Sequence, residues 1–492
     1  MSASNWSGCP LYSTRFYRYH IIDETAVFDR AEHTSVPAED SPRGKDRGVN
    51  EPIISVSGLR GIIGKTLSPE VAIRYAAAFA DSAQPGPMLI GRDGRASGLM
   101  LVEAVRAGLA AVGRDTIDAG VTATPTLGIL IRQTNAAGGV QITASHNPPP
   151  YNGMKLFSAE GRVISGGPGE KVLARYRSAT PNWVPHERLG TMETCPDSLS
   201  AHLAAVLATV DAERIRRHGF KVLLDSNHGA GSLLGRRLLE ELGCQVTLLG
   251  EQPNGQFAHP AEPCAENLAD VLPKVPRAGA DVGFCQDPDA DRLAVIDRSG
   301  RYLGEEYTLA ICVDHVLRQR KGPIVTNCST SRMAQDLAER YGQPFFHSAV
   351  GEANVADMML AKGAVFGGEG NGGPIDPRVG LVRDSFVGMA QLLDAMAARQ
   401  LTIAQLADEL PRYELVKTKI SLPGDRVPAA LDALERHFAD ATPNRLDGLR
   451  LDWPGRWLLV RPSNTEPIVR AFAEAPTADE AAELCNRAAA VL

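Results

Sequence analysis

Short apolar runs alternate with amphipathic stretches along most of this chain. Met88 to Ile90 is apolar enough to form a buried strand, and helical periodicity follows from Gly98 to Val112. The same strand–loop–helix order recurs twice, at Lys221 to Leu224 with Ser232 to Leu242, and at Ile324 to Thr326 with Ser331 to Tyr341. Strands that alternate with helices in this way are typical of parallel α/β layers.

The last eighty or so residues follow a different pattern. Glu414 to Ile420 alternates like a strand, and Pro428 to Phe438 has helical periodicity. Two strands are predicted at Leu449 to Leu451 and Trp457 to Val460, with a Pro-Gly turn between them. A last helix is predicted from Ala478 to Val491. Antiparallel strands with helices predict a smaller α+β domain.

These patterns divide the chain into five parts. We predict three similar α/β domains and a C-terminal α+β domain, at residues 51–200, 201–300, 301–410 and 411–492. A helical stretch from Asp197 to Val210 is expected to bridge the first two domains. Residues 1–50 lack apolar periodicity, and we interpret them as a mobile N-terminal extension or as the result of a start codon placed too early.

Composition excludes several classes of protein. The chain has 492 residues, a length that suits three or four domains, and its formal net charge of −7 argues against a nucleic-acid partner. No apolar run approaches the roughly 20 residues that span a bilayer. The eight cysteines form no C-x-x-C pair, so the sequence indicates neither a zinc site nor a disulfide framework. A reducing cytoplasm fits this pattern best.

Three carboxylates lie between two apolar strands, in the sequence Asp287-Pro288-Asp289-Ala290-Asp291. They would repel one another without a cation among them, and hard oxygen ligands in this number suit Mg²⁺. One coordination position would remain for a phosphate or water. A solvated acidic turn is the simpler alternative. An EF-hand calcium loop is excluded, because Arg292 and Arg298 stand where that loop needs Gly and Glu.

A proline-rich loop follows the apolar run that ends at Ile142. Ser145, His146 and Asn147 come first, three prolines exclude helix and strand, and Lys155 follows where the chain becomes extended again, over Met154 to Phe157. A nucleophile, two donors and a cation thus share one loop. Taken alone, the stretch is more typical of an ordinary proline-rich surface loop.

A glycine-rich segment, residues 367–373, follows a third buried strand. Its glycines let a ligand approach the backbone closely, while Glu369 and Asn371 can bind hydroxyl groups. That combination suits a sugar. The segment lacks the lysine of a Walker loop and the spacing of a dinucleotide loop, so a nucleotide is not expected.

A possible phosphate clamp follows the strand that ends at Val460. It combines Arg461, Ser463, Asn464 and Thr465, with Arg470 close behind. A common turn with a basic residue is the alternative. Together the four loops require one ligand, which is phosphorylated, polyhydroxylated and handled with a divalent metal.

The four motifs resemble those of the α-D-phosphohexomutase family, which includes phosphoglucomutase, phosphomannomutase and phosphoglucosamine mutase. Thr-Ala-Ser-His-Asn-Pro is similar to its phosphoserine loop and Asp-Pro-Asp-Ala-Asp-Arg to its metal loop. Gly-Glu-Gly-Asn-Gly-Gly is similar to its sugar loop and Arg-Pro-Ser-Asn-Thr-Glu-Pro to its phosphate loop. The resemblance runs from about Ile53 to the C-terminus, and it implies a four-domain protein with the site in a central cleft.

The resemblance also implies roles for these residues. Ser145 would carry a phosphoryl group and complete a Mg²⁺ site with Asp287, Asp289 and Asp291. Transfer to a hexose monophosphate would give a bound hexose 1,6-bisphosphate, which turns over and returns its other phosphoryl group to Ser145. Further positive charge or proton transfer would come from Arg60, His146, Lys155 and Arg292, with His146 or Lys155 as general acid/base. A monomer or homodimer acting on a small phosphosugar is expected.

The sugar loop departs from the commonest family pattern, in which Glu-x-Ser-Gly-His replaces the Glu-Gly-Asn-Gly-Gly found here. Glucosamine 6-phosphate to glucosamine 1-phosphate is the first expectation, because this variant resembles a subgroup often assigned to that substrate. A phosphoglucomutase/phosphomannomutase of broader specificity is the nearer alternative. A metal-dependent sugar-nucleotide transferase and a non-catalytic phosphosugar-binding protein are the remote ones. The family offers no role for residues 1–50.

Overall fold

Four β-sheets, each with helices packed against it, follow one another along the described part of the chain. The computed structural model describes residues 51–55, 57–178, 180–462 and 468–492. The first three sheets contain parallel strand pairs with antiparallel strands at one side, and the fourth is antiparallel throughout. The predicted class, three α/β units followed by an α+β unit, is confirmed.

The first sheet has seven strands in the order β1-β2-β6-β5-β3-β4-β7. The strands are β1 (Ile53–Ser55), β2 (Gly58–Ile62), β3 (Met88–Arg92), β4 (Thr116–Val121), β5 (Gly138–Ile142), β6 (Tyr151–Ser158) and β7 (Met192–Thr194). The helices are α1 (Pro69–Ser82), α2 (Gly98–Ala111), α3 (Thr124–Gln133) and α4 (Gly166–Ser178). The proline-rich loop connects β5 to β6, an antiparallel pair. Strand β6 begins three residues earlier than predicted, at Tyr151, directly after the third proline.

The second sheet has four strands in the order β11-β10-β8-β9. Its elements are α5 (Ser200–Leu207), α6 (Ala212–His218), β8 (Lys221–Asp225), α7 (Gly231–Glu241), β9 (Gln245–Leu249), α8 (Lys274–Arg277), β10 (Val282–Gln286) and β11 (Leu293–Asp297). The three aspartates occupy the turn between β10 and β11, which pair antiparallel. The bridging helix is shorter than predicted, because Asp197 accepts hydrogen bonds from the backbone of Leu199 and Ser200 before α5 begins.

The third sheet has four strands in the order β13-β12-β14-β15. Its elements are α9 (Glu305–Gln319), β12 (Ile324–Asn327), α10 (Met333–Arg340), β13 (Phe345–Ser348), α11 (Glu352–Lys362), β14 (Phe366–Glu369), β15 (Gly373–Ile375), α12 (Ser385–Arg399) and α13 (Ile403–Asp408). The glycine-rich segment forms the tight connection between β14 and β15, which pair antiparallel.

The fourth sheet has five strands in the order β16-β20-β19-β18-β17. Its elements are β16 (Glu414–Ser421), α14 (Val427–His437), β17 (Thr442–Asn444), β18 (Leu449–Trp453), β19 (Arg456–Pro462), β20 (Ile468–Ala475) and α15 (Ala478–Val491). The predicted phosphate-binding residues Ser463, Asn464 and Thr465, and the predicted extension of residues 1–50, lie outside the described residues.

One continuous apolar core joins the second sheet to the third. It contains Leu224 and Phe284 of the second sheet, Phe366 of the third, and Phe386 of α12. Because this core is shared, the turn with the three aspartates and the glycine-rich connection are held at a fixed distance. Within the described ranges, no helix is long and apolar enough to cross a membrane.

Candidate active site

The proline-rich loop and the aspartate turn meet, although they belong to different sheets. Ser145 Oγ donates a hydrogen bond to Asp287 Oδ2 at 3.0 Å. Both side chains are buried, with Ser145 1% exposed and Asp287 fully buried. Two of the predicted loops therefore converge on one point. The serine end of the proline-rich loop is buried, whereas the three prolines lie at the surface.

The three aspartates are arranged to accept a cation. Asp287, Asp289 and Asp291 are fully buried, and one carboxylate oxygen of each lies within 4.8 Å of the others. Asp289 Oδ1 and Asp291 Oδ1 are buried without a hydrogen-bond partner. Unpaired buried anionic oxygens are costly, and a hard divalent cation would satisfy them. The residues present thus fit the predicted metal site.

The remaining oxygens of these aspartates are already engaged. Asp289 Oδ2 accepts hydrogen bonds from Thr124 Oγ1 at 2.6 Å and from Lys155 Nζ at 3.2 Å. Asp291 Oδ2 accepts from Lys155 Nζ at 3.0 Å and from Arg383 at 2.6 Å. One oxygen of each carboxylate is thereby held by protein donors, which orients the other toward the predicted metal position.

Burial and mutual repulsion set the charge state of the cluster. Burial raises the pKa of Asp287 well above its usual range, and the nearby carboxylates of Asp289 and Asp291 raise it further. Burial also raises the pKa of Asp291, but Arg383 and Lys155 outweigh it, so its net pKa is lowered. Without a cation, repulsion within the cluster therefore favours a proton on Asp287, and a bound cation would relieve that repulsion.

His146 lies beside the serine hydroxyl, with Nδ1 3.3 Å from Ser145 Oγ. Burial, and then the positive charges of Arg292 and Arg60, lower the pKa of His146 to about 2. Burial lowers the pKa of Lys155 as well, but its aspartate partners outweigh that effect, and the net pKa is raised. A neutral imidazole and an ammonium group therefore stand on the two sides of the cluster.

The two predicted arginines are placed differently. Arg60 donates to Asn147 Oδ1 at 3.2 Å, on the same loop as the serine. Arg292 donates from its backbone N to Asp287 Oδ1 at 3.1 Å, while its side chain pairs with Glu262 at 3.3 Å. The structure therefore places Arg60 beside the serine loop and Arg292 beside the first aspartate of the predicted metal site.

The sugar-loop residues are organised around one carboxylate. Glu369 Oε1 accepts from Asn327 Nδ2 at 2.7 Å and from the backbone N of Gly351 at 3.1 Å. Asn371 Nδ2 donates to Glu369 Oε2 at 3.3 Å. Asn371 Oδ1 is buried and without a hydrogen-bond partner. This amide oxygen could accept a bond from a ligand hydroxyl.

Arg383 joins the sugar loop to the metal loop, a contact that sequence reasoning missed. Its guanidinium donates to Glu369 Oε2 and to Asp291 Oδ2, both at 2.6 Å. Its backbone N donates to Glu352, a second unpredicted acid, whose carboxylate also lies 4.0 Å from Lys155 Nζ. A Cβ added at Gly373 would lie 2.4 Å from Arg383 Cδ. The glycine at that position is the sequence signal that could have pointed to a neighbouring large side chain.

The described part of the predicted phosphate clamp lies next to the sugar loop. Arg461 and Arg470 pair across β19 and β20. Arg461 Nε donates to Asp447 Oδ1 at 3.1 Å, and Asp447 Oδ2 accepts from the backbone N of Val350 at 3.0 Å. Val350 directly precedes Gly351, which binds Glu369. The fourth sheet is thus connected to the sugar-binding end of the site.

Four family models match the chain in order. They describe domains I, II and III of phosphoglucomutase/phosphomannomutase as alpha/beta/alpha domains, over residues 52–182, 200–300 and 305–413, and its C-terminal domain over residues 424–491. The matches cover most of the described residues.

Individual proteins show the same similarity. The chain is 36% identical over 436 residues to a "Phosphoglucomutase/phosphomannomutase" of Thermococcus kodakarensis, covering 87% of this chain and 95% of that protein. It is 34% identical over 437 residues to a "Probable phosphoglucosamine mutase" of Pyrococcus horikoshii, covering 88% and 96%. A solved phosphoglucomutase/phosphomannomutase family protein from Burkholderia thailandensis superposes with a TM-score of 0.76 at 27% identity, covering 89% and 97%.

These matches extend over nearly the whole length of the related proteins. The chain therefore belongs to the phosphoglucomutase/phosphomannomutase family of α-D-phosphohexomutases, and it is a phosphosugar mutase, an enzyme of the isomerase class.

Proposed function

We propose that this enzyme interconverts hexose 6-phosphates and hexose 1-phosphates through a phosphorylated Ser145. The observation that carries the proposal is the 3.0 Å contact between Ser145 Oγ and Asp287 inside a buried triad of aspartates. Three clustered carboxylates would repel one another unless a cation lay among them, and a cation at that place would also bind a phosphoryl group on the adjacent serine.

Asp287, Asp289 and Asp291 would hold Mg²⁺ together with the phosphoryl group on Ser145. When bound, the ion would neutralise a phosphoserine of about −1.5 to −2 charge and polarise its phosphoryl oxygens. Thr124, Lys155 and Arg383 hold the outer oxygens of two of these aspartates, and so they keep the set oriented.

In the proposed cycle, a hydroxyl of the hexose phosphate attacks the phosphorus of phosphoserine. The bond from phosphorus to Ser145 Oγ breaks as the bond to the sugar oxygen forms, giving a hexose 1,6-bisphosphate. After the intermediate turns over, the serine hydroxyl takes the other phosphoryl group and releases the isomeric monophosphate. Alignment and neutralisation of charge are the main requirements of such a transfer.

Each transfer also needs a group that accepts the proton of the attacking hydroxyl and returns it to the leaving oxygen. His146 and Lys155 are the candidates. His146 Nδ1 lies 3.3 Å from Ser145 Oγ, which favours it for the proton exchanged with the serine. Lys155, bonded to two aspartates, is placed to hold negative charge on the transferring group.

Glucosamine phosphate is the first proposed substrate, with broader activity on glucose and mannose phosphates as the alternative. The related proteins carry names of both kinds. Support for an altered sugar preference comes from Asn371 and Gly373, which replace the Ser and His of the commonest sugar-loop pattern. Loss of one side chain that hydrogen-bonds a substrate changes discrimination strongly.

Coupled assays with glucose, mannose and glucosamine 1-phosphates, with Mg²⁺ and a trace of hexose 1,6-bisphosphate, would rank the substrates. Mass spectrometry of the purified enzyme should find a phosphopeptide that contains Ser145, and Ser145→Ala should abolish turnover. Near-normal turnover by Ser145→Ala would contradict the phosphoserine mechanism.

A further inference from the structure

The reactive serine has an unusual backbone conformation. Ser145 has a φ of 50°, in the left-handed region of the backbone that residues other than glycine rarely adopt. Such a conformation costs about 1–3 kcal/mol and persists only where the surroundings enforce it. Something in the fold must therefore hold this residue.

The carbonyl groups around the serine are held by a single side chain, Arg95. Its Nη2 donates to the carbonyl oxygens of Ser145 at 2.6 Å and Asn147 at 2.7 Å. Its Nη1 donates to those of Pro148 and Tyr151, both at 3.0 Å. One guanidinium thus connects four carbonyls that span the whole proline-rich loop.

The remaining donor of Arg95, Nε, belongs to a ring of hydrogen bonds that returns to Ser145. Arg95 Nε donates to Asp93 Oδ2 at 3.0 Å, which also accepts from Thr143 Oγ1 at 2.7 Å. Thr143 Oγ1 in turn accepts from the backbone N of Ser145 at 2.8 Å. Arg95 therefore holds the C=O of Ser145 directly, and Asp93 holds its N–H through Thr143.

Only an arginine can make this arrangement. The guanidinium has five N–H donors in a fixed plane, and here five acceptors surround it, whereas lysine has three donors and no fixed plane. Arg95 is 3% exposed and Asp93 is fully buried, so the bonds are not shared with solvent. From the second sheet, Phe257 covers the guanidinium at 5.0 Å from its ring centre.

We propose that the Asp93–Arg95 pair is the positioning device that fixes Ser145 Oγ against the metal loop. The inference rests on the proposed phosphoserine mechanism. Arg95 directs its donors at backbone carbonyls and acts through the serine loop. It should therefore govern the phosphoryl-transfer steps and leave binding of the sugar phosphate largely unchanged.

The test uses Arg95→Lys, which keeps a positive charge beside Asp93 but cannot reach the four carbonyls. We expect kcat to fall about 100-fold with KM changed by less than about 3-fold, since a misplacement near 1 Å has an effect of that size. The phosphoserine should also hydrolyse faster, because a loosened loop admits water. Its half-life can be followed by intact-protein mass spectrometry.

Arg114→Lys is the matched control. Arg114 also holds a loop by its carbonyls, donating to Ala80, Ala83 and Gln84 at 2.6, 2.9 and 2.8 Å. That loop precedes β3, so it lies at the opposite end of the parallel strands from the serine loop, which follows β5. This variant should lower the unfolding temperature without changing kcat. A second variant, Thr143→Val, removes the hydrogen bonds to Ser145 N and Asp93 while leaving the ion pair, and we expect it to lower kcat in the same direction.

The outcomes separate the two proposals. If Arg95→Lys and Thr143→Val keep kcat within about 3-fold of wild type, against the roughly 100-fold expected from misplacement, the positioning role is wrong. It is also wrong if Arg95→Lys and Arg114→Lys lose activity equally, since that result reflects stability alone. If Ser145→Ala retains turnover, the proposed function itself fails.

Discussion

The serine loop and the sugar loop are held in different ways. In the serine loop, Arg95 and Thr143 bind backbone atoms, so the main chain of Ser145 is fixed on both sides. In the sugar loop, the polar contacts join side chains, mainly Glu369 with Arg383 and Asn327, across a backbone rich in glycine. A fixed main chain defines the position of one atom, whereas ion pairs between side chains can be rearranged.

The difference suits the two tasks in the proposed cycle. The serine oxygen must meet the phosphorus at the same place in both transfers, and a misplaced oxygen is costly. The sugar must bind in two orientations, because either phosphate has to reach the serine. A loop that holds its ligand through adjustable side chains can serve both orientations.

Removing a carboxylate of the metal loop should have the largest effect. We expect Asp291→Asn to lower kcat about 10²–10³-fold or more, because it removes a proposed metal ligand and the partner of Lys155 and Arg383. Steady-state assays over a range of Mg²⁺ concentrations would measure this. Asp297→Asn is the control, since Asp297 binds Arg301 outside the cluster. Equal activity of the two variants would remove Asp291 from the metal site.

Breaking the bridge between the two loops should have the next largest effect. We expect Arg383→Met to lower kcat/KM about 10- to 100-fold, the usual effect of losing a group that orients a metal ligand. Both KM and kcat should change, because Glu369 and Asp291 each lose a partner. This contrasts with Arg95→Lys, for which only kcat should fall.

The control for that variant is Arg378→Met on the same connection, whose guanidinium pairs with Asp376. Its kinetics should match the wild type. If Arg383→Met changed KM alone, the arginine would serve the sugar loop only, and the proposed link to the metal loop would be wrong.

Changing the sugar loop itself should alter preference more than rate. Asn371→Ser should change the ratio of kcat/KM between glucosamine and glucose phosphates by about 10-fold, a typical effect of one polar contact on discrimination. The comparison needs all three sugar 1-phosphates under one set of conditions. An unchanged ranking would place the determinant of specificity elsewhere.

The smallest effect concerns the segment that covers Arg95. His259, two residues after Phe257, donates to Asp225 at 2.9 Å when protonated. Burial lowers the pKa of His259, but Asp225 outweighs it and the net pKa is raised. A raised pKa means that protonation stabilises the folded state, with the full contribution present below the unfolded pKa and lost as the pH rises through the folded one.

Urea unfolding should therefore give a higher free energy of unfolding near pH 6 than near pH 8, by on the order of 1 kcal/mol from this pair. His259→Gln should reduce the difference, while the exposed His186→Gln should leave it unchanged. A pH dependence that is identical in His259→Gln and wild type would show that the pair does not contribute.

Local patterns predicted much of the fold. A Ser-Pro pair is a typical signal for the start of a helix, and Ser68 and Pro69 begin α1, with Ser68 Oγ accepting from the backbone N of Val71 at 3.3 Å. The periodicities of strands and helices were sufficient for the fold class, because they depend on residues close together in the chain. Most errors were at element ends, where local turns such as the one at Asp197 decide the boundary.

The partners of the site residues were not predictable in the same way. Thr124 binds Asp289 across 165 residues of sequence, and Arg383 binds Asp291 across 92. Arg95 is 50 residues from the serine that it holds. Neither periodicity nor spacing carries information at such separations, since the contacts arise only when distant strands of one sheet, or separate sheets, come together.

The sequence by itself determined which chemical groups this protein has and in which loops they lie, since motifs are contiguous and their chemistry is that of their side chains. The tertiary structure decided which of those groups meet. It brought Ser145 to Asp287, left two aspartate oxygens buried without partners, and used Arg383 to join the sugar loop to the metal loop. These contacts depend on how whole sheets pack, and the shared apolar core fixes the second sheet against the third.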